Sequence, residues 1–102
     1  MPSRRLEQKL TKENLWLYIL SLLKDRDMYG YELRGAIAKR FGFKPGNVTA
    51  YRVIYSLKRQ GLVQKIEKHV DGRERKYYHI TATGMKELNN GKAVLRKVLA
   101  KL

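Results

Sequence analysis

The chain has 102 residues, the size of one small domain. It carries 23 Lys and Arg against 9 Asp and Glu, and its formal net charge of +14 favours a polyanion such as nucleic acid as partner. No apolar run reaches the ~18 residues of a membrane-spanning helix and no secretory signal opens the chain, so we expect no membrane partner and a cytoplasmic location. Cysteine is absent, which excludes a disulfide framework and thiolate metal sites.

The N-terminal third predicts an arm followed by an apolar helix. The first ten residues are polar and basic and indicate a frayed arm or an extra helical turn. A helix is expected from Thr11, and residues 15–23 are so apolar that this helix must be buried on more than one side. Such a helix in so small a domain suggests a second copy of the chain, with Leu15, Trp16 and Ile19 at the interface. Its aromatic residues are more typical of core than of a ligand pocket.

A second helix and a turn follow. Leu33, Ile37 and Phe41 recur at four-residue spacing and predict a helix over roughly residues 29–40. Residues 42–46 contain two glycines and a proline, which is the composition of a turn. Two helices separated by a short turn are therefore expected before residue 61.

The stretch 47–61 predicts a helix with two unlike faces. At about 100° per residue, Ala50, Ile54 and Leu57 share an apolar face, while basic and hydroxyl side chains share the other. We expect Asn47 or Thr49 to cap the start and Gly61 to end the helix. Taken alone, the stretch also fits a solvated amphipathic helix. As a recognition helix in a DNA major groove it would offer the following residues: Asn47, Thr49, Arg52, Tyr55, Ser56 and Arg59.

Residues 62–81 predict a β-hairpin. Residues 62–68 alternate imperfectly, Asp71-Gly72 is a strong two-residue turn signal, and residues 76–81 are rich in strand-favouring side chains. Helix, turn, helix and hairpin is the order of a winged helix, so we predict a mainly helical α+β fold with a two-stranded wing over residues 1–80. The wing side chains expected on DNA are cationic: Lys68, Arg73, Arg75 and Lys76.

The last segment, residues 81–102, predicts a dimerisation helix. Thr81 is a plausible cap, and the later apolar residues follow coiled-coil spacing. Asn89, Asn90 and Gly91 leave open whether the segment forms one kinked helix or two pieces. A two-fold homodimer is expected, with these residues of the segment at its interface: Leu88, Leu95, Val98, Leu99 and Leu102.

Enzymatic chemistry finds little support in the sequence. His69 and His79 are the only histidines, and neither has a neighbouring nucleophile or clustered carboxylates. We therefore expect no enzyme activity, no metal site and no cofactor.

Several motifs together resemble the PadR family of transcriptional regulators. The resemblance covers about residues 15–88, and its most specific parts are Tyr-Gly-Tyr-Glu-Leu at 29–33 and Arg-Lys-Tyr-Tyr at 75–78. Further matching residues are Thr49, Ala50, Tyr51, Leu57, Gly61, Leu62, Val63, Gly72, Arg73, Ile80, Thr81 and Gly84.

The resemblance implies a dimeric winged-helix repressor that binds double-stranded DNA. The two-fold symmetry of the expected dimer would then require an inverted-repeat operator. The resemblance also places Tyr51 at the DNA surface and Tyr77 and Tyr78 in support of the wing. Arg52 stands where the family usually has proline, which would alter the target sequence. Family members often respond to small molecules, but the terminal segment lacks the aromatic residue that drug-binding members use, so an effector stays open. The alternative function is an RNA-binding or protein-docking winged helix.

Overall fold

The computed structural model describes all 102 residues as five α-helices and one three-stranded antiparallel sheet. The helices are α1 (Pro2–Leu10), α2 (Leu15–Asp25), α3 (Gly30–Phe41), α4 (Asn47–Arg59) and α5 (Ala82–Lys101). The strands are β1 (Met28–Tyr29), β2 (Val63–Val70) and β3 (Arg73–Ile80). This is the winged helix predicted from the sequence. No helix combines the length and the apolar character needed to cross a membrane.

The N-terminus is a defined helix rather than a frayed arm. Pro2 occupies the first turn of α1, where its missing N–H costs nothing, and none of the nine residues of α1 is buried. A short 3-10 helix over Lys12–Asn14 follows, so α2 begins at Leu15 and not at Thr11. The Tyr18 hydroxyl of α2 donates a hydrogen bond to the Leu10 carbonyl at 2.5 Å, which ties α1 to the body.

The apolar helix α2 lies at the centre of the core of a single chain. It packs against α3, α4, α5 and β3. Leu15 and Ile19 are at most 2% exposed, so they have no surface left for a partner. Their expected place at a dimer interface is therefore wrong, because the other elements of the same chain already cover α2. Trp16 is half-buried and keeps part of its surface.

The ends of α3 and α4 are formed in different ways. At the start of α3 the Tyr29 N–H donates to the Glu32 carboxylate at 3.1 Å. At the start of α4 no side chain caps the helix, and Gly46 occupies the N-cap position, so the expected cap by Asn47 or Thr49 is wrong. Gly61, after the end of α4, has a φ of +75°, which confirms its predicted role as a helix terminator.

The sheet has the order β1-β3-β2. Asp71 and Gly72 both have positive φ, 52° and 74°, as a two-residue hairpin turn requires. The register of the hairpin pairs Lys65 with Tyr78 and Lys68 with Arg75. The pleat therefore puts Lys65 and Tyr78 on the core-facing side and Lys68 and Arg75 on the opposite side. The third strand, β1, adds two residues to the free edge of β3.

The C-terminal helix α5 is continuous through Gly91. Thr81 caps it as expected, since its Oγ1 accepts from the Gly84 N–H at 3.0 Å. A Cβ at Gly91 would lie 2.7 Å from Trp16 Cη2, so the missing side chain lets α5 pack closely on α2. Leu88 is fully buried in the same chain. Its expected place at the dimer interface is corrected to the core, because α5 returns onto α2 there.

Candidate nucleic-acid interface

The outward face of α4 is a basic surface with exposed apolar and aromatic groups. Val48 is 70% exposed and Tyr55 51%, although both are large side chains that a monomer would normally cover. A shallow groove of about 800 Å³ runs along this face, here called the helix groove, lined by Asn47, Val48, Tyr51, Arg52, Tyr55, Lys58 and Arg59. The structure thus brings together five of the seven residues expected on the recognition helix.

The two other expected residues of α4 lie differently. Thr49 is exposed but outside the helix groove. Ser56 is half-buried, and its hydroxyl accepts a hydrogen bond from Gln60 Nε2 at 3.0 Å. Lys58 lines the helix groove and was missed, although its position on the periodic face would have suggested it.

A second groove separates α4 from the wing. It has a volume of about 600 Å³ and is here called the wing groove. The start of α3, the middle of α4 and the free end of β3 form its walls, and its lining residues are Tyr29, Gly30, Tyr31, Tyr51, Tyr55, Lys65, Arg73, Glu74, Arg75, Lys76 and Tyr78. Lys65 and Tyr31 were not predicted. Strand alternation, which puts Lys65 on the same side of the sheet as Tyr78, could have indicated Lys65. Tyr31 belongs to the motif at 29–33, which carries the family resemblance but does not by itself indicate a site.

Three tyrosines meet where the two grooves join. Tyr51 and Tyr55 line both grooves. Burial raises the pKa of the Tyr78 hydroxyl, and the neighbouring Tyr55 and Tyr51 raise it further. The Tyr78 phenol therefore stays a neutral hydrogen-bonding group. Gly30 leaves room for the Tyr51 ring, because a Cβ there would lie 2.8 Å from Tyr51 Cε1.

The cations of the wing have unequal freedom. Arg73 and Lys76 are exposed and form no ion pair within the chain. Arg75 stacks over the Tyr29 ring, with its Cζ 5.0 Å from the centroid. Lys68 instead forms a 2.9 Å ion pair with Asp27 and lines neither groove. The expected DNA contact by Lys68 stays a prediction, although in the free chain a carboxylate already holds its ammonium group.

The combined charge of the two grooves is strongly positive. Three cationic side chains line the helix groove and four line the wing groove, while Glu74 is the only carboxylate in either lining. Both grooves are open to solvent along α4, a shape that suits an extended polyanion better than a small enclosed ligand.

A separate apolar surface lies at the far end of α5. Four of its residues are well exposed: Leu95 at 41%, Val98 at 56%, Leu99 at 73% and Leu102 at 97%. Beside them a groove of about 380 Å³ runs between α1, α2 and α5, with Trp16 and Leu17 in its wall. Of the residues expected at a dimer interface, these four and Trp16 have surface available.

The solved structures that share this fold include two regulators from Bacillus species. A PadR-like transcriptional regulator from Bacillus cereus strain ATCC 14579 is 27% identical, with a TM-score of 0.78 over 93% of this chain and 91% of that chain. Bacillus subtilis PadR, crystallised in complex with operator DNA, is 23% identical, with a TM-score of 0.65 over 74% of this chain and 46% of that chain. Because that identity is low, the similarity to the second structure shows only a shared fold.

Sequence comparisons give the family. An uncharacterized protein from Lysinibacillus sphaericus is 36% identical over 69 residues, which is 65% of this chain. The matched region spans 63% of that relative's length. Residues 19–90, which contain α3, α4 and the whole wing, match the family model described as the transcriptional regulator PadR-like family. Together with the fold, this match means that the chain belongs to the PadR-like family of transcriptional regulators.

Proposed function

We propose that the protein regulates transcription by sequence-specific binding of double-stranded DNA, with α4 in the major groove and the wing along the backbone. The observation that carries the proposal is that Tyr51 and Tyr55 line both grooves, so α4 and the wing form one continuous cationic surface. The Bacillus subtilis protein of the same fold was crystallised with operator DNA, which supports this choice of ligand. A protein on chromosomal DNA would lie in the cytoplasm.

The residues divide into two roles under this proposal. Arg52 and Asn47 lie on the exposed face of α4, where a guanidinium and an amide can read base edges bidentately. Arg73 and Lys76 lie in the wing without intramolecular partners, so they are free to neutralise phosphates. Tyr51 and Tyr55 stand between these sets and would bind the backbone at the groove rim.

We further propose that the protein acts as a homodimer. Leu95, Val98, Leu99 and Leu102 form an exposed apolar strip on α5, and burial against a second α5 would remove it from water. Residues 1–80 would bind DNA and residues 81–102 would dimerise. A two-fold dimer places its two α4 helices in successive major grooves, so the operator would be an inverted repeat with half-sites about 34 to 36 Å apart.

Repression by occlusion follows from this placement, since a dimer covering successive grooves excludes other proteins from the same DNA. We propose no small-molecule effector, because α5 has no aromatic residue and the helix groove and the wing groove are open to solvent.

The experiment is a salt titration of binding to genomic fragments selected by the protein. If about 6 to 10 phosphates are neutralised, affinity should fall about 10³ to 10⁵-fold between roughly 50 and 200 mM salt. Selected palindromic duplex should also compete far better than structured RNA of equal length. Binding that ignores salt, or equal competition by RNA, would contradict the proposal and favour the RNA-binding alternative.

A further inference from the structure

A single carboxylate connects the body of the protein to both strands of the wing. Asp27 lies between α2 and β1, and its side chain is 20% exposed. Its Oδ2 accepts from Lys68 Nζ of β2 at 2.9 Å, and its Oδ1 lies 2.6 Å from His79 Nδ1 of β3. Because the two oxygens bind different strands, the carboxylate fixes the hairpin as a unit.

The ion pair also keeps Lys68 away from the proposed DNA surface. Lys68 pairs in register with Arg75, on the side of the sheet opposite Tyr78. Its ammonium group lies 4.9 Å from the centroid of the Tyr77 ring on that side. Two partners therefore hold Lys68 outside both grooves, whereas Lys65 and Lys76 face the wing groove.

No other ion pair of the chain connects the body of the protein to the strands of the wing. The Arg40–Asp25 pair at 2.6 Å joins α3 to α2, and the Arg26–Glu32 pair at 3.3 Å joins the α2–β1 loop to α3. Neither reaches β2 or β3. Although burial raises the pKa of the Asp27 carboxyl, hydrogen bonds from Lys68 and His79 outweigh it and lower the pKa, so the carboxylate is charged at neutral pH.

We infer that Asp27 is a positioning residue for DNA recognition: it holds the wing at a fixed angle to α4 and withholds Lys68 from phosphate. The inference rests on the proposed DNA-binding function. Phosphate contacts set the register in which base contacts are read, so a wing at a fixed angle favours specific over random DNA. A loosened wing with a freed lysine would retain, or gain, purely electrostatic binding.

The test compares Asp27→Ala with Asp25→Ala, a matched control that removes one negative charge and one ion pair from the same region without touching the wing. Amide hydrogen exchange on the free proteins comes first and needs no DNA. Asp27→Ala should speed exchange in β2 and β3 at least about 10-fold relative to wild type. Amides exchange when the structure opens locally, and a hairpin without its ion pairs to Asp27 should open more often. Asp25→Ala should leave those amides unchanged, and Asp27→Glu should restore part of the protection.

DNA binding is then measured on the selected duplex and on a shuffled duplex across a salt series. Asp27→Ala should lower the ratio of specific to random affinity about 10-fold and steepen the salt slope on random DNA by about 0.9, the increment for one added phosphate contact. Adding Lys68→Gln to Asp27→Ala should return the slope to the wild-type value while the ratio stays low.

Distinct results separate the two claims. A wild type that binds no duplex overturns the proposed function, while the exchange experiment still decides whether Asp27 positions the wing. Unchanged exchange in Asp27→Ala overturns the inference. The inference is also overturned if the wild type binds DNA specifically and the single substitution Lys68→Gln flattens its salt slope by about 0.9. Lys68 would then already contact phosphate in the wild-type protein.

Discussion

Gly84 and Gly35 are both helical glycines, but their surroundings differ. A Cβ on Gly84 would lie 2.8 Å from Ile80 Cγ1 and closer still to the Leu62 carbonyl oxygen, which is backbone and cannot rotate away. A Cβ on Gly35 meets nothing within 4 Å. Gly84 therefore permits close contact between α5 and the start of β2, whereas Gly35 only adds flexibility to α3.

Substitution by alanine should have opposite effects at these two glycines. Gly84→Ala should destabilise the fold by about 3 kcal/mol, because the forced contact costs more than the gain in helix propensity. Gly35→Ala should stabilise it by roughly 0.5 to 1 kcal/mol. Urea unfolding followed by circular dichroism measures both, and a stable Gly84→Ala variant would show that the junction is not tightly packed.

Substitution of Arg52 and of Arg73 should reduce DNA affinity in different ways. Arg52→Ala should cost about 1 to 3 kcal/mol on the selected duplex and relax the preference at one base position, because Arg52 lies on the reading face of α4. Arg73→Ala should weaken all duplexes similarly and lower the salt slope by about 0.9. Anisotropy titrations on a panel of single-base operator variants distinguish them. The same loss of specificity in both variants would contradict the assignment of roles.

At the scale of elements, the α3–α4 junction positions the central tyrosine. Gly30 opens α3, and the ring of Tyr51 lies against its backbone. Gly30→Ala should displace that ring and weaken operator binding, because keeping the ring in place would cost about 1 to 3 kcal/mol of overpacking. In a Tyr51→Ala background the same substitution should have no further effect. Additive losses would mean that Gly30 acts elsewhere, and Gly35→Ala is the control within the same helix.

Sequence periodicity was sufficient where one residue pattern determines an element. The faces of α4, the hairpin turn at Asp71-Gly72 and the cap at Thr81 all have local signals, and the structure contains them. Strand β1 has only two residues, too few for a period to be visible. The close packing of α5 on α2 at Gly91 involves Trp16, which lies 75 positions earlier in the chain and cannot be found by any local rule.

The candidate site was predictable in its location more than in its contacts. Position on a helix face was enough for most of α4. The ion pair of Lys68 could not be predicted from the sequence, because Asp27 is 41 residues away and only the folded chain brings the two together. The same limit accounts for Leu15, Ile19 and Leu88, whose apolar side chains predict burial but not which chain covers them.

At the scale of the whole molecule, the proposed dimer depends on the end of α5. Leu95→Glu with Leu99→Glu should convert a dimer into a monomer by sedimentation and abolish tight palindrome binding, because two carboxylates would be buried without partners. Weak random binding should persist. Lys97→Glu also changes the net charge by two but lies on the opposite face of α5, so it should remain dimeric. A monomeric wild type, or a dimeric double variant, would contradict this architecture.

In the proposed dimer, the uninterrupted α5 would also hold the two DNA-binding units at a fixed spacing. Twenty residues of helix form a rod about 30 Å long, and close packing against Trp16 opposes bending at Gly91. Inserting one base pair between half-sites rotates one of them by about 34° around the duplex axis, because a turn holds about 10.5 base pairs. A stiff connection cannot follow that rotation. Operators would therefore tolerate base changes in the spacer but not a change in its length.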